Sequence, residues 1–369
     1  MPRYIHQLPD WPHFTWNQDL LIQPLAAVRH RQGRLLGQMQ ALGFQLREEA
    51  VLNTLTEDVL KSSEIEGEIL DRDQVRSSIA RRLGMEAGGL PAADRNVEGV
   101  VEMMLNATQK YKEPLTDERL FAWHAALFPT GRSGMQKITV GGWRTQADGP
   151  MEVVSGPFGK EKVHYEAPEA GKLAEEMKAF LDWFNRKDNS DLVLKAALAH
   201  LWFVTIHPFG DGNGRIARAI ADMSLARSED SAQRFYSMSA QIRVERNAYY
   251  SILERTQRGD LNITEWLEWF LACLDRAVEG AEKILANVFL KADFWKKHEG
   301  QTFNDRQRDM LNRLMSGFEG KLTSSKWATI EKCSQDTASR DIDDLIARKV
   351  LKKDEGGGRS TSYSLVTQA

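Results

Sequence analysis

A segment of the chain, LVLKAALAHLWFVTI, is apolar almost throughout and limits the fold more than any other feature. A helix with this composition has no face for water, so neighbouring elements must surround it. We therefore predict that residues 191–206 form a buried central helix. Amphipathic helical patterns precede and follow it, at 97–111, 117–127, 170–186, 244–257 and 263–290. The sequence thus predicts a mainly α protein.

A glycine-rich loop, HPFGDGNGR, follows the apolar segment and leads into a further helical pattern. Glycines permit positive φ angles and close approach of the backbone. In front of a helix, such a loop presents several N–H groups to one point and makes an anion site. Arg215 and Arg218 lie three positions apart, so they share a face of the new helix. Two guanidinium groups in this arrangement can hold two phosphates at once.

Two further side chains of this loop suggest what happens at the anion site. Asp211, beside phosphates, can hold Mg²⁺ through one carboxylate. His207 stands at the end of the apolar helix, and histidine is well suited to take a proton near pH 7. Each residue alone is typical of a turn or of a structural histidine, but the whole set favours a site. It predicts transfer of a phosphorus group to a hydroxyl, and leaves open whether the α- or γ-phosphorus is attacked. The P-loop signature is missing.

The segment HPFGDGNGRIAR resembles the signature of the Fic family, His-x-Phe-x-[Asp/Glu]-Gly-Asn-Gly-Arg-x-x-Arg, at every defined position. The opening YIHQLPDWPHFTW also looks like the N-terminal region of one Fic subgroup. The resemblance implies an all-helical Fic core with a small β-hairpin flap. It also implies transfer of AMP from ATP, with Mg²⁺, to a Ser, Thr or Tyr hydroxyl of a protein.

The resemblance implies a role for each residue of the motif. The nucleotide-binding residues would be Phe209, Gly210, Asp211, Gly212, Asn213, Gly214, Arg215 and Arg218. His207 would deprotonate the target hydroxyl, Phe209 would anchor the loop in the core, and Asp211 would bind the Mg²⁺ that bridges the α- and β-phosphates. Gly212, Asn213 and Gly214 would form the anion hole. Arg215 would contact the phosphates, Arg218 would hold the γ-phosphate, and pyrophosphate would leave.

Residues 129–168 differ from the helical remainder, because β-branched and aromatic residues alternate there between Gly and Pro. In the Fic family a hairpin at this place docks the target segment by main-chain pairing. The corresponding segment here is SGPFGKEKVHYEAP. Its exposed, target-docking strand would be Lys162, Val163, His164 and Tyr165. The alternative is an ordinary surface hairpin.

A second resemblance lies upstream, where Ser62-Ser-Glu-Ile-Glu66-Gly67 fits the inhibitory motif of regulated Fic proteins, [Ser/Thr]-x-x-x-Glu-[Gly/Asn]. Helical spacing covers residues 20–50, and a second helix over about 56–68, capped by Thr56, would carry this motif. Glu66 would pair with Arg218 in place of the ATP γ-phosphate, so that ATP binds only unproductively. Ser62 would share its face and hydrogen-bond near Asn213. The alternatives are a solvated glutamate, or an enzyme that also removes AMP.

The chain divides into three predicted parts: an N-terminal helical region (1–95), a Fic catalytic domain (96–290) and a winged-helix domain (296–369). A stretch rich in Gly, Ala and Pro at 84–94 reads as a linker. In the last part three helical patterns precede two short strands around a GGG turn. Asp341, Asp343 and Asp344 on its third helix, the recognition helix of a winged-helix domain, would repel a DNA backbone. A protein contact is therefore favoured over DNA.

Composition narrows the remaining choices. The 369 residues are 42% hydrophobic and 27% charged, with a net charge of −3, so no chain-wide footprint for nucleic acid exists. Two cysteines exclude a disulfide scaffold and fit a reducing cytoplasm. Neither a signal peptide nor a membrane span is evident. We expect a cytoplasmic protein whose partners are a protein substrate, itself included, and a second copy in a homodimer, with no membrane.

Other residues and readings carry less weight. His200 and His124 are expected to be packing residues, and Cys273 to be buried and inert. Arg144 could approach the nucleotide or form a structural ion pair. A rival function is a winged-helix DNA-binding regulator whose Fic core senses nucleotide. A further rival keeps the enzyme but changes the donor, for example to UTP or CDP-choline. Arg218, as the γ-phosphate residue, favours a nucleoside triphosphate as the donor.

Overall fold

The computed structural model describes residues 3–85, 91–156, 160, 162–315, 318, 320–354 and 361–366. It consists of two compact units, Met1–Lys283 and Ile284–Ala369. Most of the described residues are helical and the sheets are small, so the predicted mainly α fold is confirmed. No helix in the described ranges combines the length and the apolar character needed to cross a bilayer. Part of the predicted linker (86–90) and the predicted GGG turn lie outside the described residues.

The first unit contains helices and two short hairpins. Before the central helix come α1 (Gln18–Gln40), α2 (Phe44–Ile65), α3 (Arg72–Arg82), α4 (Arg95–Gln109), α5 (Asp117–Leu127), β1 (Arg132–Ser133), β2 (Gln136–Lys137), β3 (Glu152–Ser155), β4 (Lys162–Glu166) and α6 (Leu173–Asn185). After them come α7 (Leu192–Ile206), α8 (Asn213–Glu229), α9 (Met238–Val244), α10 (Arg246–Gln257) and α11 (Thr264–Lys297). The boundary between the units falls inside α11.

The apolar segment forms α7, and it is buried along almost its entire length, as predicted. Asp191 caps it by accepting hydrogen bonds from the N–H groups of Val193 and Leu194. The helices α6 and α8 pack against it, and the indole of Trp266 in α11 donates to the Ala197 carbonyl. The two helices that flank the motif are therefore fixed in the interior of this unit.

The N-terminal helices differ from the prediction. The pattern over 20–50 is interrupted after α1, because the extended backbone of Gly43 begins a new helix at Phe44. The predicted helix 56–68 is wrong at both ends, since α2 starts well before Thr56 and ends at Ile65. Thr56 lies inside α2, where its hydroxyl donates to the Leu52 carbonyl and caps nothing. A threonine followed by acids is a cap signal only where the helical pattern really starts.

Each sheet in the described residues is an antiparallel pair of strands: β1 with β2, β3 with β4, and one pair in the second unit. In the larger hairpin Glu152 lies opposite Glu166 and Ser155 lies opposite Lys162, with an irregularity between Val153 and Val154. Such a bulge re-aims one side chain of a strand.

The second unit contains α12 (Asp305–Met315), α13 (Ser324–Ile330), α14 (Gln335–Ala347) and the hairpin of β5 (Leu351–Lys353) with β6 (Tyr363–Leu365). Asp341 of α14 points inward and pairs with Arg306, and Asp344 pairs with Arg348. The expected repulsion of DNA therefore applies, among these acids of α14, to the exposed Asp343. The winged-helix assignment and the partner of this unit stay predictions.

Candidate active site

The motif loop (207–212) connects α7 to α8 through two unusual backbone conformations. His207 ends α7 with a left-handed φ of 53°, and Gly212 precedes α8 with a φ of 81°. Asn213 braces the loop, because its amide nitrogen donates to the Phe209 carbonyl at 2.8 Å and its oxygen accepts from the Phe209 N–H at 3.0 Å. The side chain of Asn213 therefore holds the loop in shape, and only its backbone remains for an anion.

Phe209 fixes the loop from below, since it is fully buried among aromatic rings. His124 stacks on it with 4.2 Å between ring centroids, and Trp143 lies at 5.0 Å. His124 Nε2 also donates to the Asp211 carbonyl at 3.2 Å. Burial lowers the pKa of His124 to about 4, so the ring is neutral at pH 7. The sequence suggested packing for His124 but gave no signal for this hydrogen bond.

The carboxylate of Asp211 is held by two donors. The hydroxyl of Ser133 donates to Oδ2, and the N–H of Gly212 donates to Oδ1. No cluster of three or more His, Cys, Asp or Glu side chains suited to a metal occurs in the described part of the chain. One carboxylate fits Mg²⁺ nevertheless, because Mg²⁺ commonly takes few protein ligands and completes its shell with water and substrate phosphates.

His207 presents a neutral imidazole to the surface of the site. Its Nδ1–H donates to the Val204 carbonyl at 3.1 Å, which leaves the lone pair on Nε2. Desolvation lowers the pKa of His207 to about 4, the positive charge of Arg144 adds to this, and the Val204 carbonyl opposes it. Nε2 is consequently ready to accept a proton at neutral pH.

Arg144 holds the backbone around His207. Its Nε donates to the His207 carbonyl at 2.8 Å, its guanidinium also donates to the Pro168 carbonyl, and its own N–H donates to the Pro208 carbonyl. The residue is buried, so these bonds fix the carbonyls at the exit from α7. The sequence left Arg144 between a nucleotide contact and an ion pair, and these contacts add that it braces the backbone at the end of α7.

Arg218 is the centre of the contact between α8 and the end of α2. Its Nη2 donates to Glu66 Oε1 at 2.8 Å, and its side chain is only 2% exposed. Its Nε donates to the Ser62 hydroxyl at 2.9 Å, and Nη2 donates to the Ser62 carbonyl at 2.8 Å. The expectation that Ser62 bonds near Asn213 is therefore wrong, because Ser62 is bound to Arg218.

The carboxylate of Glu66 lies directly on the first turn of α8. A Cβ added to Gly214 would stand 2.1 Å from Glu66 Oε1 and 3.3 Å from Arg218 Nη1. Only glycine at this position leaves room for the carboxylate. The N-terminus of a helix carries unpaired N–H groups and a partial positive charge that favour an anion there. Glu66 thus occupies the place in the structure that is best suited to an anion.

The end of α2 has the geometry of a Schellman motif centred on Gly67. The N–H of Gly67 donates to the Glu64 carbonyl, and that of Glu68 donates to the Ser63 carbonyl. Gly67 has a φ of 87°, a left-handed conformation that suits glycine. The chain reverses at this point, and the glutamates on either side of Gly67 both reach α8.

The second motif arginine is also paired. Arg215 Nη1 donates to Glu68 Oε2 at 2.6 Å, and its guanidinium lies 5.2 Å from the ring centroid of Phe128. Arg215 Nε and Arg218 Nη1 are buried and have no hydrogen-bond partner among the described residues. Buried donors without a partner are rare, and these two atoms are available as donors to an oxygen ligand. Sequence reasoning did not single out Glu68.

Two residues of α10 hold the last carbonyl of α2. Arg246 Nε donates to the Ile65 carbonyl at 2.9 Å, and the Tyr250 hydroxyl approaches the same oxygen at 3.4 Å. Helix ends leave carbonyls unpaired, and here a neighbouring helix satisfies one of them. These contacts fix the position from which Glu66 reaches Arg218, and no sequence signal revealed them.

The predicted docking strand, Lys162 to Tyr165, is not the exposed edge of the hairpin. Arg258, which directly follows α10, donates to the carbonyls of Val163 and His164, each at 2.9 Å. His164 Nδ1 also contacts Glu254 of α10 at 2.6 Å. Because β4 is already bonded to α10, the open edge of this hairpin in the described residues is β3.

The remaining two residues of that strand face different surroundings. Lys162 is exposed, and its Nζ stands 4.0 Å from Glu254 Oε1. Tyr165 is buried, and its hydroxyl donates to the Thr205 carbonyl of α7 at 2.6 Å. The expectation that Tyr165 belongs to an exposed strand is therefore wrong, since alternation turns this side chain into the core. Residues 157–159 and 161 of the predicted flap lie outside the described residues.

A groove of about 520 Å³ lies beside Gly210. It runs between the β3–β4 hairpin and β2, and its lining includes Ile138, Glu152, Val154 and Val163. The lining therefore combines apolar and charged side chains.

Comparisons with known proteins agree with this geometry. The profile of the Fic/DOC family matches residues 114–225, and that of a domain of unknown function (DUF4172) matches residues 4–85. The protein adenylyltransferase Fic of Drosophila willistoni is 33% identical over 135 residues, and that of Nematostella vectensis is 35% identical over 115. These matches cover 35% and 31% of this chain, and the chain spans about a quarter of each relative.

Two solved structures show the same fold. A Fic family protein from Desulfovibrio desulfuricans superposes with a TM-score of 0.58 at 21% identity, covering 97% of this chain and 99% of its own. A Fic-domain-containing signalling protein from Bacteroides thetaiotaomicron gives 0.52 at 21% identity, covering 70% and 96%. The fold and the motif loop define a mainly helical protein whose candidate active site lies at the start of α8. More specifically, the chain carries a Fic/DOC family domain over residues 114–225.

Proposed function

We propose that this protein is an adenylyltransferase that moves AMP from ATP to a Ser, Thr or Tyr hydroxyl of a protein, and that this conformation is its self-inhibited state. One observation carries the proposal. Glu66 is bonded to the buried Arg218 above Gly214, so a carboxylate fills an anion site at the start of α8. A site that accepts a carboxylate in this way also suits a phosphate.

The chemistry assigned to the chain follows from its side chains. Nε2 of His207 accepts the proton of the target hydroxyl as its oxygen attacks the α-phosphorus. The bond from that phosphorus to the bridging oxygen breaks, and pyrophosphate leaves with the electron pair. Arg215, Arg218 and the first N–H groups of α8 hold the phosphates and stabilise the charge that develops. Mg²⁺, held by Asp211, would neutralise phosphate charge.

Inhibition by Glu66 is a competition between two anions for the same donors. Arg218 can give its Nη2 to the glutamate or to a phosphate oxygen, and the space above Gly214 holds only one of them. Because Arg218 is almost fully buried, water screens this contact weakly. ATP could bind while Glu66 is in place only with its terminal phosphate elsewhere, which turns the α-phosphorus away from the attacking hydroxyl.

The target protein would add an extended segment to the open edge of β3 and run along the groove beside Gly210. Main-chain pairing would supply affinity, and the groove would select side chains. The identity of this protein, a cytoplasmic location and a homodimer remain predictions from the sequence.

Labelling with α-³²P-ATP and Mg²⁺ tests the proposal. The comparison uses the wild type, Glu66→Gly, Glu66→Gly/His207→Ala and Glu64→Gly. Glu64 lies in the same last turn of α2 but pairs with Lys61, so it is a matched control for a glycine introduced there. We expect protein-bound label in Glu66→Gly alone. Label in the double variant would contradict the role of His207, and equal label in Glu64→Gly would contradict the role of Glu66.

Two parallel measurements separate the remaining alternatives. Label from α-³²P-ATP but not from γ-³²P-ATP identifies AMP as the transferred group, whereas the reverse identifies phosphoryl transfer. If ATP gives no label, the same assay with α-³²P-UTP or CDP-[³²P]choline tests the other donors. Loss of label from a labelled Glu66→Gly preparation after removal of ATP, faster when unlabelled wild type is added, would reveal AMP removal. A DNA shift assay at low and moderate salt tests the regulator alternative.

A further inference from the structure

Glu68 brings a second carboxylate to the motif arginines. Its Oε2 accepts a hydrogen bond from Arg215 Nη1 at 2.6 Å, while the side chain remains 34% exposed. We propose that Glu68 sets the affinity of the site for phosphate-bearing nucleotides by occupying Nη1 of Arg215. The proposal rests on the nucleotide site of the proposed function, and it assigns Glu68 a task different from that of Glu66.

The backbone explains why one turn delivers two carboxylates. Gly67 reverses the chain in its left-handed conformation, and the N–H of Glu68 is tied back to the Ser63 carbonyl. Arg215 and Arg218 lie one helical turn apart on α8, so their guanidinium groups are neighbours. Each glutamate consequently meets its own arginine, Glu66 at Arg218 and Glu68 at Arg215.

Arg215 is restrained and still incompletely satisfied. Its guanidinium lies over Phe128, its residue exposure is 5%, and its Nε is buried without a partner among the described residues. An arginine binds phosphate through several N–H donors at once. Nε and Nη1 of Arg215 point to different sides of the guanidinium, so a phosphate oxygen reaches Nη1 only after Glu68 leaves it, while Nε is available to a second oxygen. The side chain of Glu68 is partly exposed and can move into solvent, whereas that of Arg215 is buried and cannot.

The two glutamates should therefore affect different quantities. Glu66 occupies the space above Gly214 and decides the orientation of the bound nucleotide, which affects the rate of transfer. Glu68 occupies Nη1 of Arg215 and must be displaced by a nucleotide whose phosphates bind that atom, which raises the dissociation constant. Because the pair is partly exposed, its displacement should change affinity modestly, by roughly twofold to fivefold.

Isothermal titration of ATP and ADP, with Mg²⁺, into a His207→Ala background measures this effect without turnover. The variants are Glu68→Gln, Glu68→Ala and the control Glu64→Gln, whose side chain pairs with Lys61 of α2 and with Arg243 of α9. We expect the Kd of both nucleotides to fall roughly twofold to fivefold in both Glu68 variants. The Kd of the control should equal that of the parent.

Each other outcome overturns the proposal. An unchanged Kd in the Glu68 variants means that Arg215 does not bind phosphate or that Glu68 does not compete. Weaker binding means that Glu68 supports the site. Equal tightening in the control means a general effect of lost negative charge. The titration needs no AMP transfer, so its failure and a failure of the labelling experiment are separate results.

Discussion

Replacing Gly67 by alanine tests whether the turn after α2 holds the inhibitory glutamate. Gly67 has a φ of 87°, and a Cβ added there would meet no atom within 4 Å. The substitution therefore introduces backbone strain without a steric clash. A left-handed residue with a side chain costs about 1 kcal/mol relative to glycine. The strain is relieved when the Schellman turn opens, and opening withdraws Glu66 from Arg218.

The expected result follows from that free energy. About 1 kcal/mol in favour of the open turn corresponds to roughly a fivefold rise in the uninhibited population. We expect self-labelling from α-³²P-ATP to rise by about this factor in Gly67→Ala, well below the rate of Glu66→Gly. The assay is the initial rate of label incorporation at saturating ATP, with urea unfolding of the same preparations.

Gly84→Ala is a matched control, because Gly84 occupies the same position after α3. Its φ is 71°, its N–H donates to the Arg81 carbonyl, and an added Cβ would meet nothing within 4 Å. The control should lose a similar free energy of unfolding and gain no labelling. If Gly67→Ala is destabilised but labels no faster than wild type, while Glu66→Gly labels strongly, the turn does not govern inhibition. Equal labelling in both glycine variants would also refute the reasoning.

Three further predictions concern charged and buried side chains of the first unit. Arg144→Gln should move the acid limb of the pH profile of kcat/KM to higher pH, because the Arg144 charge lowers the pKa of His207, which is active when neutral. Arg144→Lys should shift this limb less. The profiles are measured in a Glu66→Gly background, and an unmoved limb would contradict the electrostatic role of Arg144. Tyr165→Phe should lower the free energy of unfolding by about 1 kcal/mol, since it leaves a buried carbonyl unpaired; an unchanged urea midpoint would argue against this hydrogen bond. The double variant Glu66→Gln/Glu68→Gln should have a Tm several degrees lower, because the buried guanidinium groups of Arg218 and Arg215 lose their carboxylate partners. In differential scanning fluorimetry, ATP should raise the Tm of this variant more than that of the wild type.

The sequence predicted those elements whose hydrophobic period is strong. The helix predicted at 117–127 coincides with α5, and the apolar segment forms the buried α7. The start of α2 was missed, because Gly43 is a weak stop signal inside a continuing helical pattern. Local spacing decides where helices exist, whereas their ends depend on caps and on neighbours that local spacing does not reveal.

The motif loop could be read from the sequence because its residues are contiguous. Glu68 could not, since its partner Arg215 lies 147 positions away and is reached only through the reversal at Gly67. The same limit applies to the hairpin. Alternation predicts two strands there, but Arg258, at the end of α10, determines which edge is closed. Contacts between distant elements are therefore what the structure adds to the sequence.

In the proposed function, inhibition and stability have a common origin in this site. A phosphate-binding site requires buried cations and free N–H groups, and these groups are costly while no anion is present. Arg215 and Arg218 each keep one buried donor that has no partner within the described part of the chain, even with both carboxylates bound. Glu66 and Glu68 offset part of that cost from within the chain. Their release is tolerable when phosphate oxygens replace them, so nucleotide binding and opening of the turn are thermodynamically linked. A stimulus that moves the end of α2 would change both together.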